Sequence, residues 1–203
     1  MFGKAMQAMD VGGCADDCVR VPSDKWASEQ VLHYMLSNEK PLILLKSRKD
    51  EFLFTSHGLI FSDGESATSP KRRVTRTNWS EARVGNVQLE TAGLVDLDLE
   101  VGFDFQRRWK IEFKKSEIES AKLVFRCLDA IANRQLKNER LFAMEKLAYE
   151  KMAGGFNAHL LPGADAATFT DAITTASSKW ALRMAELYQP DSYEKEMQAI
   201  LLT

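Results

Sequence analysis

Histidine, cysteine and acidic side chains are the groups in this chain that could act in catalysis, but their spacing builds no recognised catalytic motif. No His-x-x-x-His pair and no Gly-x-Ser-x-Gly turn occurs, and the histidines fall in three different predicted elements: His33, His57 and His159. The glycine pairs at 12–13 and 154–155 lack the Lys-Ser/Thr of a phosphate-binding loop. An enzyme would have to start from His159 with Asp165 or Cys18, so the sequence favours a non-enzymatic protein.

The candidate metal ligands are equally sparse. Cys14 and Cys18 have no second cysteine pair and no nearby histidine, so a zinc site would lack ligands. Asp96, Asp98 and Glu100 share one face of a predicted strand, where neighbouring residues lie ~6.6 Å apart, too far for three ligands on one ion. We therefore predict no metal and no cofactor.

Basic side chains concentrate in two places, and two interpretations of them are open. Well-placed cations on an anionic surface contribute ~1 kcal/mol each, so they could form a weak membrane-binding patch. The other reading is a solvated strand edge. Nucleic acid is not expected as a partner, because no aromatic residues interleave these cations. The cations are Arg48, Lys49, Lys71, Arg72, Arg73 and Arg76.

Composition limits the class of protein. The chain has 203 residues, of which 45% are hydrophobic and 28% charged, a proportion typical of a globular protein. A formal net charge of −2 provides no global attraction for nucleic acid or anionic lipid. Three cysteines form no disulfide framework, and no signal peptide or apolar run of ~18 residues is present, so a cytoplasmic location is expected.

The elements that must position any site are organised around residues 86–115. Apolar and polar residues alternate with a period of two from Asp96 to Phe105, which indicates a half-buried strand. The alternation resumes after Gln106-Arg107-Arg108 and predicts a hairpin with a three-residue bend. That register would pair Asp104 with Lys110 and Glu100 with Lys114, each pair contributing roughly 0.2–1 kcal/mol.

The remaining patterns predict five earlier strands, a hairpin turn at His57-Gly58, and several helices. Residues 23–38 are predicted as an α-helix with Ser23 as its N-cap. A helix from Ser116 to Gly154 would span ~38 residues, and helices over 165–188 and 192–202 would follow. The predicted strands are 42–46, 52–55, 59–62, 72–77, 84–90, 96–105 and 108–114.

Apolar helix faces suggest contacts with other proteins. Residues 1–9 are predicted to form a short helix with a methionine-rich face, which would either pack on the rest of the chain or dock on a partner. The second half of the long helix extends beyond what a small domain of ~25–30 Å can cover. The candidate docking residues are Phe2, Met6, Met9, Leu141, Met144 and Trp180.

The stretch Glu90-Thr91-Ala92-Gly93-Leu94-Val95-Asp96-Leu97-Asp98-Leu99-Glu100, preceded by Val87 and Leu89, resembles the turn and strand of the bacterial pleckstrin-homology (PH) domain family. The resemblance extends over about Pro41 to Gln135. It implies an α+β fold: a seven-stranded antiparallel PH-like barrel capped by a long C-terminal helix, with further C-terminal helices added. It also implies a binding role, and it carries over no catalytic residue.

Further expectations follow from this resemblance. Phosphoinositide-binding PH domains carry converging cations around the loop between their first two strands. Here Lys46-Ser47-Arg48-Lys49 is followed by Asp50-Glu51, which departs from that pattern. PH barrels also present a groove between the fifth strand and the capping helix. In this chain the groove would involve Val87, Leu89, Val124, Leu128 and Ile131. Self-association is expected because the family resembles ring-forming oligomers.

The sequence therefore predicts three regions: an N-terminal helical segment (1–40), a PH-like domain (41–135) and a C-terminal helical extension (136–203). The leading function is a non-enzymatic interaction or scaffold module that binds protein partners or further copies of itself through its helical extensions. The alternative is a peripheral membrane adaptor that binds anionic lipid through the basic patch at 71–76.

Overall fold

The computed structural model describes residues 12–13, 17–64, 71–91, 99–156 and 166–202, without the side chains of 153–156 and 166–169. The chain divides into two units. Unit 1 takes in the described residues up to Ala132 together with those from Ser192 onward, and unit 2 is Asn133–Asp191. The strands are β1 (Gly12–Gly13), β2 (Val19–Arg20), β3 (Pro41–Lys46), β4 (Glu51–Thr55), β5 (Gly58–Gly64), β6 (Arg72–Asn78), β7 (Gly85–Glu90), β8 (Leu99–Phe105) and β9 (Arg107–Phe113). The α-helices are α1 (Ile118–Phe156), α2 (Ala166–Tyr188) and α3 (Glu194–Leu201).

Five strands form an antiparallel sheet in the order β2-β3-β4-β5-β6. Every residue of β4 is buried, because both faces of this sheet are covered. One face joins the main core. The other packs Leu44, Leu53 and Ile60 against Val21 and Val31 of the preceding segment. The strongly apolar runs that predicted these strands therefore reflect burial on two sides.

The second sheet has the order β1-β9-β8-β7, and β8 and β9 form the predicted hairpin. The predicted three-residue bend is wrong: Phe105 lies opposite Arg107, and Gln106 turns the chain alone with φ 58°. The register therefore shifts by two residues, which is one side-chain period, so the same face stays buried. Asp104 lies opposite Arg108 rather than Lys110, while Lys110 reaches Glu100 diagonally at 2.8 Å.

The prediction of a closed barrel is also wrong, because the described strands form two open sheets with β6 and β7 at their edges. Near Trp79, side-chain contacts rather than strand pairing connect the two sheets. The indole N–H of Trp79 donates to the carbonyl of Thr55 at 3.0 Å, and its ring lies 4.8 Å from that of Phe105 on the other sheet. The N-terminal segment also contacts both sheets. Cys18 forms an isolated β-bridge with Phe113 of one sheet, and β2 pairs with β3 in the other.

The predicted α-helix over 23–38 is instead two 3₁₀ helices, Ser23–Ser28 and Gln30–Tyr34. Glu29 separates them in an extended conformation (φ −94°, ψ 126°). In this conformation its carboxylate binds the ammonium group of Lys46 on β3. A side-chain contact to the sheet thus accompanies the break in the helix.

The predicted C-terminal helices are confirmed, and α1 runs for 39 residues from Ile118. In unit 1, the first part of α1 packs Ala121, Val124, Leu128 and Ile131 onto the aromatic residues of both sheets. The helix α3 also belongs to unit 1 and places Met197, fully buried, in the same core.

Candidate functional site

The basic patch on β6 is partly structural. Arg76 donates from Nη1 and Nη2 to Glu39 at 2.7 and 3.1 Å, a bidentate pair with a carboxylate whose side chain has no exposed surface. Glu39 also accepts hydrogen bonds from the Thr55 hydroxyl and from the backbone N–H of Leu36. Burial alone would raise the pKa of Glu39, but the hydrogen bonds from Arg76, Thr55 and Leu36 outweigh it and the pKa lies below its usual value. Arg76 is therefore committed to holding a buried charge.

A second predicted lipid contact is also engaged. The guanidinium of Arg72 donates to the backbone carbonyl of Lys49, which ties β6 to the loop between β3 and β4. Arg48, Lys71 and Arg73 are exposed, and Lys49 is half-buried. The predicted patch thus contains exposed cations beside two arginines that have structural roles.

An open cavity of about 550 Å³ lies where the N-terminal segment approaches the end of β3. Its lining carries both signs of charge: Lys46, Arg48 and Lys114 face Asp17 and Glu112. Lys46 is already paired with Glu29 and with Glu51, the latter at 3.4 Å. Burial would lower the pKa of Lys46, but these two carboxylates outweigh it and raise the pKa. Acidic side chains therefore partly neutralise the cations of this cavity.

The residues that were predicted to line a groove between β7 and α1 lie mainly in the core. Val124, Leu128 and Ile131 are fully buried in the core, so they cannot contact a partner. Val87 and Leu89 are half-buried on β7, at the edge of the four-stranded sheet. The side chain of Arg108 on β9 extends to β7, where Nη1 donates to the carbonyl of Asn86 at 2.9 Å. Among the described strands β7 is thus an edge strand, and its inward side chains pack against the core.

The predicted docking residues of unit 2 lie on a pair of helices. Tyr149 of α1 and Trp180 of α2 stack with ring centroids 4.5 Å apart and an interplanar angle of 18°. Leu141 is half-buried and Met144 is 69% exposed. Six of the nine large hydrophobic side chains that are exposed in the described part of the chain belong to unit 2: Met144, Leu147, Met152, Ile173, Leu182 and Leu187. The predicted residues Phe2, Met6 and Met9 lie outside the described residues.

The groups considered for chemistry do not come together in the described residues. His57 contacts Ser56 through Nδ1 at 2.8 Å, and His33 lies on a 3₁₀ helix. Cys18 and Cys127 are buried and form no disulfide. Burial raises the pKa of Cys127 to about 12. His159 and Asp165 lie outside the described residues. The described ranges contain no cluster of three potential metal ligands, and none of their helices is long and apolar enough to cross a membrane.

Two predominantly antiparallel sheets, in which only the short β1 runs parallel to its neighbour β9 among the described strands, pack with a long helix around a shared core and define a PH-like fold. Residues 18–132 match the family model of the bacterial PH domain. This match covers more than half of the chain, so the protein belongs to the bacterial PH domain family. The resemblance read from the Glu-Thr-Ala-Gly stretch is thereby confirmed.

Related proteins extend the comparison. The chain is 37% identical over 126 residues to the "Uncharacterized protein YvbH" of Bacillus subtilis (strain 168), an alignment that spans 62% of this chain and 61% of that protein. A crystal structure of a PH domain containing protein from Exiguobacterium sibiricum 255-15 superposes with a TM-score of 0.81 at 22% identity, covering 95% of this chain and all of the other. A DUF1696 family protein from Shewanella loihica PV-4 gives a TM-score of 0.42 at 23% identity, over 54% and 97% of the two chains. The similarity to the Exiguobacterium protein extends the shared fold over nearly the whole chain.

Proposed function

We propose that the protein is a non-enzymatic PH-like assembly module that self-associates through unit 2. The observation that carries the proposal is the exposure of apolar side chains on two helices. In the described part of α2, residues 170–188, Met184 alone is buried, while Leu182 is 67% exposed. A helix pair normally buries its apolar faces against further elements, and large exposed apolar surfaces mark interaction sites.

The charge of unit 2 supports a second copy as the occupant of this surface. Residues 133–191 contain seven Lys and Arg residues and seven Asp and Glu residues, so the formal charge of the unit is zero. Two copies of a unit with no net formal charge approach each other without long-range repulsion between net charges. Two helices from each of two copies would form a four-helix bundle around a two-fold axis, the commonest symmetry among soluble oligomers.

A charge placed on the exposed apolar surface tests this function. We expect Leu147→Glu to convert a self-associated species into a monomer in size-exclusion chromatography with light scattering, because the carboxylate would be desolvated at the interface. Lys146→Gln is the matched control, since it alters the neighbouring residue with the same change in net charge. The proposal fails if Leu147→Glu leaves the mass unchanged, or if the control dissociates the protein equally.

An anionic membrane surface is the second candidate, supported by the exposed cations Arg48, Lys71 and Arg73 near one end of the five-stranded sheet. Sedimentation with vesicles of anionic and of neutral lipid would detect it. The triple variant Arg48→Ala, Lys71→Ala, Arg73→Ala removes three cations and leaves Arg72 and Arg76 in place. Binding to anionic vesicles that this variant abolishes would favour the membrane adaptor, and absence of binding by the native chain would exclude it.

A further inference from the structure

Residues 40 and 56 and the main core of unit 1 form a seat for the helix α3. The backbone N–H of Tyr193 donates to the carbonyl of Ser56 at 2.8 Å, and Lys40 forms an ion pair with Glu194 at 2.8 Å. Ser56 is itself fixed, because its N–H donates to the Lys40 carbonyl at 2.9 Å and its hydroxyl accepts the Lys40 N–H at 3.0 Å. The carbonyl group of Ser56 is therefore oriented by hydrogen bonds with Lys40 that do not involve α3.

The apolar side of α3 completes the core of unit 1. Tyr193 and Met197 are 3% and 0% exposed, and Ile200 and Leu201 pack against the same cluster. These side chains follow the i, i+4, i+7 and i+8 spacing of one helical face. This is the arrangement by which an amphipathic helix binds a hydrophobic groove.

In the sequence, α3 lies far from the rest of unit 1. The family match ends at residue 132, whereas α3 begins at Glu194, after the whole of unit 2. The residues that match the family model therefore do not include the helix that covers this part of the core. The connection that leads to α3, residues 189–193, is short and contains Pro190.

We propose that this seat, formed at the start of β3 and the turn between β4 and β5, is a helix-binding site and that α3 is its tethered ligand. The same segment of a second copy is the occupant that the seat accepts in exchange. The fit of that segment is defined by the contacts of α3, and a tethered helix excludes a competitor through its high effective concentration. This exchange does not depend on contacts made by unit 2.

The test uses the full chain with a protease site inserted between Pro190 and Asp191, and a fluorescent peptide of residues 192–203. After cleavage and dialysis, fluorescence anisotropy should show saturable peptide binding, whereas the uncleaved chain should bind little. A Met197→Ala peptide should bind at least about 30-fold more weakly, the loss expected for truncating a fully buried methionine. A Lys195→Ala peptide, altered at an exposed position of α3, should bind like the native peptide.

The outcomes separate a ligand from a permanent part of the fold. Specific binding to the cleaved chain supports the proposal. The proposal is overturned if the cleaved chain, still folded by circular dichroism, binds no peptide or binds the Met197→Ala peptide equally well. It is also overturned if cleavage and removal of α3 unfold unit 1. Repeating the test with the Leu147→Glu variant distinguishes the two proposals, because that substitution removes self-association through unit 2 and should leave peptide binding unchanged.

Discussion

Replacing Arg76 with alanine should strongly destabilise unit 1, although Arg76 lies on an edge strand and keeps part of its surface in water. The substitution leaves the carboxylate of Glu39 buried without its two charge-assisted hydrogen bonds. Removing one partner of a buried ion pair typically costs about 3–5 kcal/mol. A loss of about 3 kcal/mol at an m-value of about 2 kcal/mol/M lowers the urea midpoint by about 1.5 M.

The assay is urea unfolding followed by tryptophan fluorescence in a Trp180→Phe background. The remaining tryptophans, Trp26, Trp79 and Trp109, all belong to unit 1, so the signal reports that unit. Arg73→Ala is the matched control, because Arg73 is an exposed arginine on the same strand and its loss should change stability by at most about 0.5 kcal/mol. Equal midpoints for the two variants would refute the structural role of Arg76.

The effect should also depend on pH. The pKa of Glu39 lies below 4.5 in the folded chain, so the stability it contributes is present above about pH 4.5 and is lost as the pH falls through the folded value. Without Arg76, burial raises the pKa of Glu39, and protonation at acid pH relieves the uncompensated charge. The difference in stability between the native chain and the variant should therefore narrow from pH 7 to pH 4. A constant difference would contradict the assignment.

Three further predictions concern the packing of single residues. Gly58→Ala should destabilise the chain by about 1–3 kcal/mol in urea unfolding, because a Cβ there would lie 2.3 Å from the carbonyl oxygen of Thr77. Gly85→Ala is the control and should have no steric cost, because there is open space around Gly85. Equal urea midpoints for the two variants would contradict this prediction. Asn138→Leu should raise the melting temperature, because the buried amide has no hydrogen-bond partner among the described residues; a lower melting temperature would indicate a partner. Cys127 should resist iodoacetamide in the folded chain and react after unfolding, because burial raises its pKa to about 12. Peptide mass spectrometry measures the labelling. Rapid labelling of Cys127 in the native chain would contradict its burial.

Local periodicity predicted most of the fold. The alternation around residues 99–113 identified the hairpin, and the apolar stripe of α1 identified a helix that the structure confirms at 39 residues. The register was missed because it depends on Gln106 adopting φ 58°, a conformation that its residue type does not favour. The two 3₁₀ helices were missed because the extended conformation of Glu29 accompanies a contact with Lys46 on the sheet.

The candidate sites were harder to predict because they depend on contacts between distant segments. Arg76 was predicted as a surface cation, and its partner Glu39 lies 37 residues earlier in the sequence. Val124 and Leu128 were placed in a groove because the helical pattern identifies an apolar face without identifying what covers it. The apolar spacing of Met197, Ile200 and Leu201 was visible in the sequence. The sequence did not show that these residues join the core of unit 1, because all of unit 2 separates them from the rest of unit 1 in the sequence.

If copies of this chain associate through the helices of unit 2, the mass of the protein in solution must depend on its concentration. Sedimentation equilibrium of the intact chain over a wide concentration range tests it most directly, since a single chain has a mass of 22.9 kDa. We predict a mass that rises with concentration towards twice that value and that remains at 22.9 kDa for Leu147→Glu. A native chain that stays at 22.9 kDa at every concentration would contradict the account.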